Sequence, residues 1–465
     1  MELKNLFNEK EALVYIFLIA VVVLSSPLIA RAYTSGNYPA GYEPYYHEKS
    51  AREIIGNGFH FSQDDLKDGL YHPILAAAGF FIGVRPAASL IPFLMGVSSL
   101  VVFYLLLKKL NIELKIRMAA AVIAAISPPF TYTFANSNPY SVSIFLTLLG
   151  MYLMITGKKE AMIASVLLFI AAIPGGFLPA AVIVISLMLY YFSVKDKTNT
   201  PLAAAIVVGV AAILYNIIVP QETGVNIGMR LLVDFGSIEG FGLFTLILSA
   251  IGFYALWNKK GELFPIYSFM VLLISASIFF PSANLYLNFI IAIYAAAGFI
   301  LLAESRWDLE IIKNLTLILV VCGLVFSTIS YGVRFVNSEP SKEMTYSLEW
   351  LKTKPDGGVL SQAKNGFWIE AISEKGAVID GFTKSSGIIN DTSSIFRLRN
   401  VDKVKPLLDK YDVRYIWIDR NMKQTIWKKE DEGLLFVFRD TKTFKNIYRS
   451  NEVEIWEYTK AQGQK

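Results

Sequence analysis

The sequence predicts a polytopic α-helical membrane domain followed by a water-soluble α/β domain, and two observations carry this prediction. First, 54% of the 465 residues are hydrophobic, only 17% are charged, and the mean hydropathy is +0.47; soluble domains carry about 25% charged residues. Second, 41 of the 81 charged side chains lie after residue 334. We therefore expect a membrane domain over 1–334 and a soluble domain over 335–465.

Composition and charge also exclude several classes of protein. A simple soluble enzyme and a disordered chain are both too polar to match this composition. The net charge of +5 is small for this length, and a nucleic-acid-binding module would show a basic stripe on a polar chain, so we expect no nucleic-acid partner. Cys322 is the single cysteine, which excludes a disulfide framework and a thiolate-rich metal site. The expected partner of the apolar part is the lipid bilayer.

Apolar segments predict about eleven transmembrane helices, because a crossing needs roughly 20 apolar residues. The segments are 12–30, 73–107, 118–132, 140–156, 161–173, 177–193, 201–219, 240–257, 263–280, 285–303 and 314–332. The segment 73–107 is too long for one straight helix, and we expect breaks at Pro86 and Pro92. Pro174-Gly175-Gly176 predicts a turn between two further crossings.

The distribution of basic residues predicts the orientation in the membrane. One alternating set of loops carries pairs or clusters of lysine and arginine, at 108–117, 158–159, 195–197 and 259–260. Among the short loops of the other set, the only basic residue is Arg230. Cytoplasmic loops are enriched in Lys and Arg. We therefore expect an integral protein of the cell membrane with a cytoplasmic N-terminus, and an extracytoplasmic first loop (31–72) and C-terminal domain.

The C-terminal domain is predicted to alternate helix and strand, which is typical of a small α/β domain. The predicted helices are Ser341–Thr353, Phe367–Ser373 and Val401–Lys410, and the predicted strands are Gly358–Ser361, Ala377–Ile379, Val413–Ile418, Phe444–Tyr448 and Val453–Tyr458. The last two strands are expected to form a hairpin. No glycine-rich phosphate loop follows a strand, so we predict no nucleotide site.

The first outer loop holds all three histidines of the chain, His47, His60 and His72, together with Glu43. Carboxylates and imidazoles hold divalent cations or act as general bases. The alternative is a solvated loop with interfacial tyrosines. In the second outer loop, Asn138 offers a weaker oxygen ligand or belongs to a plain polar turn.

A carboxylate also stands at the mouth of a predicted crossing in the third outer loop, at Ser237-Ile238-Glu239. A charge costs about 2.5–3.5 kcal/mol at the centre of a bilayer and less at its interface, so such residues are usually paired or functional. The alternative for Glu239 is an interfacial charge that faces water.

This layout resembles the GT-C superfamily of membrane glycosyltransferases, and most closely the catalytic subunit of oligosaccharyltransferases. Glu43-Pro44-Tyr45-Tyr46-His47 resembles the first acidic motif of that family, and Ser237-Ile238-Glu239 resembles the short motif of its large outer loop. Asn138–Phe145 stands at the second acidic motif, without the acids. The region 360–380 resembles the tryptophan-tryptophan-aspartate region, although Gln362-Ala363-Lys364 replaces that triplet.

The resemblance implies a glycosyltransferase that moves a sugar from a polyprenyl-phosphate or polyprenyl-diphosphate donor to a protein or glycan acceptor. It implies that Glu43 binds a divalent metal (Mg or Mn), with His47 and Asn138 as further ligands, and positions the acceptor. Glu239 would activate or hold the acceptor. The residues expected to bind substrate are Tyr45, Tyr46, Arg52, Arg230 and Trp368.

The missing triplet leaves three hypotheses for the function. The first is a GT-C enzyme with an acceptor other than the asparagine sequon, since the family reads the sequon through the triplet. The second is an oligosaccharyltransferase that acts on asparagine. The third is a catalytically silent scaffold or a transporter. Transporters tend to show internal repeats and charges at the bilayer midplane, and neither is present here.

Overall fold

A computed structural model describes residues 8–62, 65–173, 176–193, 199–219, 231–237, 239–257, 261, 264–427, 429 and 431–459. The chain forms two compact units. The helical unit comprises the described residues of Met1–Ala30 and Ser50–Val336, and the α/β unit comprises Arg31–Lys49 and the described residues of Asn337–Lys465. Residues 31–49, which the sequence grouped with the membrane domain, thus belong to the same unit as the C-terminal domain.

The helical unit contains a helix at each predicted apolar segment. Its helices are α1 (Glu9–Ser35, up to Ala30), α2 (Glu43–Gly56, from Ser50), α3 (Tyr71–Ile82), α4 (Val84–Lys109), α5 (Leu114–Ala125), α6 (Pro128–Phe134), α7 (Tyr140–Ile155), α8 (Lys159–Ala172), α9 (Phe177–Ser193), α10 (Thr200–Ile218), α11 (Leu243–Ala255), α12 (Phe264–Phe279), α13 (Ala283–Glu304) and α14 (Glu310–Val336). Among the described residues, five helices are long and apolar enough to cross a membrane, namely α1, α4, α10, α13 and α14. The bent pair of α5 and α6 makes a sixth if it counts as one span. The count of eleven crossings stays a prediction.

The long apolar segment 73–107 breaks at a glycine rather than at its prolines, so this part of the prediction is wrong. Gly83 separates α3 from α4 with a φ of 89°, a conformation that side chains with a Cβ rarely adopt. Pro86 instead lies in the first turn of α4, where a missing N–H costs nothing, and Pro92 lies inside α4. The predicted turn at Pro174-Gly175-Gly176 lies mostly outside the described residues.

Two glycines allow α11 and α13 to approach closely. A Cβ on Gly252 would lie 1.8 Å from the carbonyl oxygen of Tyr294, and a Cβ on Gly298 would lie 2.1 Å from that of Leu248. Small residues at a helix crossing let two backbones touch, and dispersion contacts along both helices then stabilise the pair. This crossing fixes one side of the helical unit.

The α/β unit is built on one four-stranded sheet with the order β1-β2-β4-β3. Its strands are β1 (Gly358–Leu360), β2 (Val413–Asp419), β3 (Phe444–Arg449) and β4 (Val453–Tyr458), and its helices are α15 (Lys342–Lys352), α16 (Gly366–Trp368), α17 (Ser386–Arg397), α18 (Val401–Lys410), α19 (Arg420–Thr425) and α20 (Gly433–Val437). β1 pairs with β2 in parallel, and the other pairs are antiparallel. The hairpin is therefore present as predicted. Ala377–Ile379 is not a strand, because only Ala377 forms a single bridge, to Val359.

The sheet separates two hydrophobic clusters, because successive strand side chains point to opposite faces. Ile416 and Ile418 pack with α17, α18 and α20 on one face. Tyr415 and Trp417 pack on the other face with α15, with the 366–373 region and with Tyr45 from the first loop. Tyr45 thus provides apolar contacts between residues 31–49 and the C-terminal part of the α/β unit.

A buried arginine completes this attachment. Arg31 is 3% exposed, and its guanidinium donates hydrogen bonds to the carbonyl oxygens of Tyr38 (2.7 Å), Pro39 (2.9 Å), Ser338 (2.9 Å) and Pro340 (3.2 Å). A guanidinium offers five donors in a rigid plane and can serve several carbonyls at once. One side chain therefore ties residues 38–39 to residues 338–340.

Candidate functional site

The acidic motif of the first loop begins a helix that is anchored within the α/β unit. Glu43 is the first residue of α2 and is exposed. Just before it, Gly41 donates its N–H to Glu339 O (2.7 Å) and accepts a hydrogen bond from Trp368 Nε1 (2.9 Å). The positive end of the helix dipole favours a negative charge at this position. The position thus suits an ionised carboxylate.

Burial and then the Glu43 carboxylate raise the pKa of Tyr42 above its usual range. The direction of this pKa shift is the one expected for a phenol near an ionised carboxylate.

Two residues that the sequence predicted to bind substrate are core residues. Tyr45 is 0% exposed and its hydroxyl donates to Pro39 O (3.0 Å). Trp368 is 2% exposed and its indole N–H is bound to Gly41. A side chain without surface cannot contact a ligand in this conformation. Both rings hold the start of α2, and a substrate-binding role for them stays a prediction.

Tyr46 is half-buried in an aromatic group. Its ring lies 4.6 Å from that of Phe382, 5.5 Å from that of Phe367 and 5.1 Å from that of His47, measured between centroids. His47 is 4% exposed. One turn further along α2, Lys49 pairs with Glu370 (2.7 Å). The side chains that follow Glu43 are thus fixed by packing and charge within the α/β unit.

The predicted site residues of the helical unit have mixed surroundings. Asn138 is 5% exposed, and its Oδ1 accepts the N–H of Tyr140 (2.9 Å) at the start of α7. This hydrogen bond is what a polar turn would show, and a ligand role for Asn138 stays a prediction. Arg52 lies partly exposed on α2. Glu239 is half-buried just before α11, and Oε2 of its carboxylate is shielded from solvent. Arg230 and Ile238 lie outside the described residues.

The sequence analysis did not identify two further features of the first loop. Glu48 is 0% exposed, directly after His47. In the helical unit, His72 Nε2 lies 3.5 Å from Asp68 Oδ2, and His72 Nδ1 lies 3.1 Å from Asp65 O. The spacing of four residues between Asp68 and His72 was visible in the sequence. The burial of Glu48 was not, because it depends on residues that pack around α2.

Donor atoms suited to a divalent cation are present in each unit. Glu43 and His47 are spaced by four residues, the spacing that places two side chains on one helix face. Asp68 and His72 have the same spacing and lie within 3.5 Å of each other. Carboxylates and neutral imidazoles both ligate divalent metals, and carboxylates suit Mg and Mn. The donor set fits a divalent metal, and Asn138 contributes least because its side-chain oxygen already accepts a hydrogen bond.

Comparison with solved structures identifies the fold. The chain is similar to the archaeal oligosaccharyltransferase AglB from Archaeoglobus fulgidus in complex with an inhibitory peptide and a dolichol-phosphate: 13% identity, a TM-score of 0.62, and coverage of 98% of this chain and 75% of that chain. It is also similar to the A. fulgidus enzyme in complex with Zn and sulfate, with 13% identity, a TM-score of 0.62 and coverage of 93% and 71%.

A bacterial protein shares the same architecture. ArnT from Cupriavidus metallidurans in the apo state matches with 11% identity, a TM-score of 0.58, and coverage of 95% of this chain and 97% of that chain. No protein-family model and no curated protein matches the sequence. AglB and ArnT are both GT-C glycosyltransferases, so the predicted resemblance is confirmed for the fold.

Proposed function

We propose that this protein is a membrane glycosyltransferase that moves a sugar from a polyprenyl-phosphate or polyprenyl-diphosphate donor to an acceptor outside the cytoplasm. The observation that carries the proposal is the exposed carboxylate of Glu43 at the start of α2, in a chain that shares its fold with AglB along 98% of its length. The AglB structure holds a dolichol-phosphate, a donor lipid of the class proposed here.

The proposed reaction exchanges one bond at the anomeric carbon of the sugar. The acceptor heteroatom attacks this carbon, the bond from the carbon to the phosphate oxygen breaks, and the polyprenyl phosphate leaves with the electron pair. Glu43 takes up the acceptor proton or orients the acceptor for attack. Negative charge develops on the leaving phosphate in a poorly solvating environment, so a cation must stabilise it.

A divalent metal supplies that charge stabilisation when it is bound. Glu43 and His47 are the residues of the α/β unit proposed to hold it. Glu43 would then act on both the metal and the acceptor. The AglB neighbour in complex with Zn supports a metal as a general feature of this fold, and Mg or Mn remains the proposed ion.

The sequence adds a second carboxylate and two positive side chains to the residues proposed to serve the reaction. Glu239 would hold the acceptor, since it lies just before the apolar helix α11 and one oxygen of its carboxylate is shielded from solvent. Arg52 and Arg230 would bind phosphate, because guanidinium groups bind phosphate oxygens in a bidentate manner. Tyr46, which stays partly exposed, is the one tyrosine of the motif that still suits substrate contact.

The proposed acceptor is something other than the asparagine of a sequon. At the position of the family triplet, Lys364 pairs with Glu339 (3.0 Å), and the neighbouring Asn365 donates to Asp419 (2.9 Å). These side chains are engaged in structural contacts and lack the aromatic surface of the triplet. Transfer to asparagine is kept as a second candidate because the AglB neighbour was solved with a peptide.

The proposed orientation follows the positive-inside rule. The N-terminus would be cytoplasmic, and the first loop and the α/β unit would both face outward. An odd number of crossings, such as the predicted eleven, satisfies this arrangement. The protein would then act at the outer surface of the cell membrane.

Incubation of the purified protein with labelled polyprenyl-linked sugars and a membrane extract tests the proposal. We expect label to move to an acceptor, and a chelator to stop the transfer. A sequon peptide added as the acceptor separates the two candidate functions: labelled peptide would establish asparagine transfer. Absence of transfer from every polyprenyl-linked donor would contradict the proposal and favour a silent scaffold.

Glu239→Gln tests the second carboxylate in the same assay. We expect this variant to need more acceptor for half-maximal transfer while its donor dependence stays unchanged. An unchanged acceptor dependence would remove Glu239 from the proposal.

A further inference from the structure

A cleft in the α/β unit collects positive charge beside aromatic rings. It has a volume of about 610 Å³ and is lined by four cationic side chains, Lys423, Lys429, Arg439 and Arg449. They come from α19, from the segment after α19, from the segment after α20 and from the end of β3. The cleft is thus built by several elements and is not a run of charge along one helix.

The floor of the cleft is the sheet itself. Glu454 and Trp456 alternate along β4 and point to the same face. The ring of Trp456 stacks on that of Phe438, with 4.3 Å between centroids and an angle of 8° between planes. Phe438 is buried, whereas Trp456 remains partly exposed and lines the cleft. The floor therefore offers a rigid aromatic surface.

Glu454 organises the cations without neutralising them. It is 7% exposed; its Oε1 lies 2.8 Å from Lys423 Nζ and 2.8 Å from Arg449 Nη2, and its Oε2 accepts the N–H of Trp456 (3.2 Å). One carboxylate therefore serves two cations. Lys429 and Arg439 form no ion pair with the described residues. The lining keeps a surplus of three positive charges.

The position in the sheet is one that commonly binds ligands. Asp419 at the carboxyl end of β2 faces Val453 at the start of β4, so the cleft lies at the carboxyl edge of the parallel pair β1 and β2. Ligands of α/β sheets bind outside the carboxyl ends of the strands, where the connecting segments leave a crevice. The volume is also in the range of small-molecule sites.

We propose that this cleft binds a short acidic oligosaccharide, with carboxylates on the four cations and a sugar face on Trp456. Arg and Lys bind carboxylates through charge-assisted hydrogen bonds. The apolar C–H face of a pyranose ring suits a flat indole surface. An extended nucleic acid would need a charged groove along several nucleotides, which a single compact cleft does not provide. The choice of a carbohydrate over another anion rests on the proposed transferase function.

Binding of trigalacturonate to the full-length protein in detergent, measured by isothermal titration calorimetry, tests this proposal. The neutral trisaccharide maltotriose is the matched ligand control. We expect trigalacturonate to bind, to weaken as salt rises from about 0.05 M to about 0.3 M, and to bind more tightly than maltotriose. The measurement needs no transfer reaction. Binding to the cleft can therefore fail while the proposed transferase function stands, and binding can be observed even if the protein transfers no sugar.

The double variant Lys429→Gln/Arg439→Gln removes two cations without breaking an ion pair between described residues. We expect it to bind trigalacturonate at least about tenfold more weakly. The control Lys403→Gln/Lys445→Gln removes two exposed lysines of the same unit outside the cleft and should bind like the wild type. Thermal melts of both variants show whether the fold is kept.

Three results would overturn the proposal. The first is absence of trigalacturonate binding to the wild type, and the second is equal affinity in the wild type and a folded cleft variant. The third is binding of inorganic phosphate or of oligothymidylate where trigalacturonate fails to bind, because the cleft would then take a different anion.

Discussion

The two units of the molecule are stabilised by different means. In the helical unit, apolar helices meet through small residues such as Gly252 and Gly298, and the contacts that matter are between backbones. In the α/β unit, buried polar side chains join segments that lie far apart in sequence, as Arg31 does with Ser338 and Pro340. Close approach of helix backbones is thus a feature of the helical unit, whereas the α/β unit adds buried hydrogen bonds between distant segments to its two hydrophobic clusters.

This difference decides which substitutions each unit tolerates. A buried donor network fails when one donor is removed, because the carbonyls that it served lose their partner. A close helix crossing fails when one methyl group is added, because the backbones can no longer touch. Removal of a buried hydrogen-bond donor is therefore the damaging change at Arg31 in the α/β unit. Addition of a methyl group is the damaging change at the helix crossing in the helical unit.

Arg31→Ala should produce the largest loss of stability. Four carbonyl acceptors lose their donor, and a fully buried unsatisfied acceptor costs about 1–3 kcal/mol. Because three of the four hydrogen bonds are only partly buried, we expect a loss of about 3 kcal/mol in total. Arg31→Lys should recover little, since an ammonium cannot reproduce the planar array of donors. Thermal unfolding and limited proteolysis within 31–49 measure the effect.

Arg397→Ala is the control for this experiment, because Arg397 is exposed at the end of α17. Its change should stay within about 0.5 kcal/mol. An Arg31→Ala protein as stable as the control would show that the hydrogen bonds of Arg31 do not hold residues 31–49 in the α/β unit.

Gly252→Ala should destabilise the helical unit by up to about 3 kcal/mol, the upper part of the usual range for overpacking. The added methyl group would collide with the carbonyl oxygen of Tyr294 and force α11 and α13 apart. Gly209→Ala in α10 is the matched control, since a Cβ there has open space around it, and alanine favours helix by roughly 0.5–1 kcal/mol. Equal melting temperatures for the two variants would contradict the close crossing.

The smallest expected effect concerns pH. Burial raises the pKa of Glu454, but the hydrogen bonds and charges of Lys423, Trp456 and Arg449 outweigh it and lower the pKa below its ordinary value of 4.5. An acid with a lowered pKa in the fold stabilises above its unfolded pKa, and this stability is lost as pH falls through the folded pKa.

We therefore expect the wild type to exceed Glu454→Gln in stability near neutral pH, and the difference to shrink below about pH 4.5. Chemical unfolding of the two proteins across this range measures the difference. A difference that is constant with pH would mean that the charge of Glu454 is not what stabilises this part of the sheet.

Local patterns predicted the helices well, and nonlocal contacts account for what the sequence did not predict. Apolar segments and the alternation of the C-terminal strands depend on neighbouring residues, so α13 and the hairpin of β3 and β4 followed directly. Tyr45 and Trp368 were expected to bind substrate because the segments around them resemble family motifs. Their burial depends on partners about 300 residues away, which no local pattern reveals.

The part of the candidate site that depends on neighbouring residues was predictable from the sequence, and the part that depends on nonlocal contacts was not. The motif from Glu43 to His47 is contiguous, and its placement at the start of α2 agrees with an exposed carboxylate. The cationic cleft escaped notice because its four side chains are spread over 27 residues of sequence and meet only when β4 inserts between β2 and β3.

The most direct test of the account is the rate of sugar transfer by Glu43→Gln. We predict that transfer from a labelled polyprenyl-linked donor falls at least about 100-fold, the usual contribution of a general base, while the melting temperature stays that of the wild type. Asp402→Asn, which changes an exposed carboxylate of the same unit, should transfer at the normal rate. Full transfer by a folded Glu43→Gln protein would contradict the role of this carboxylate.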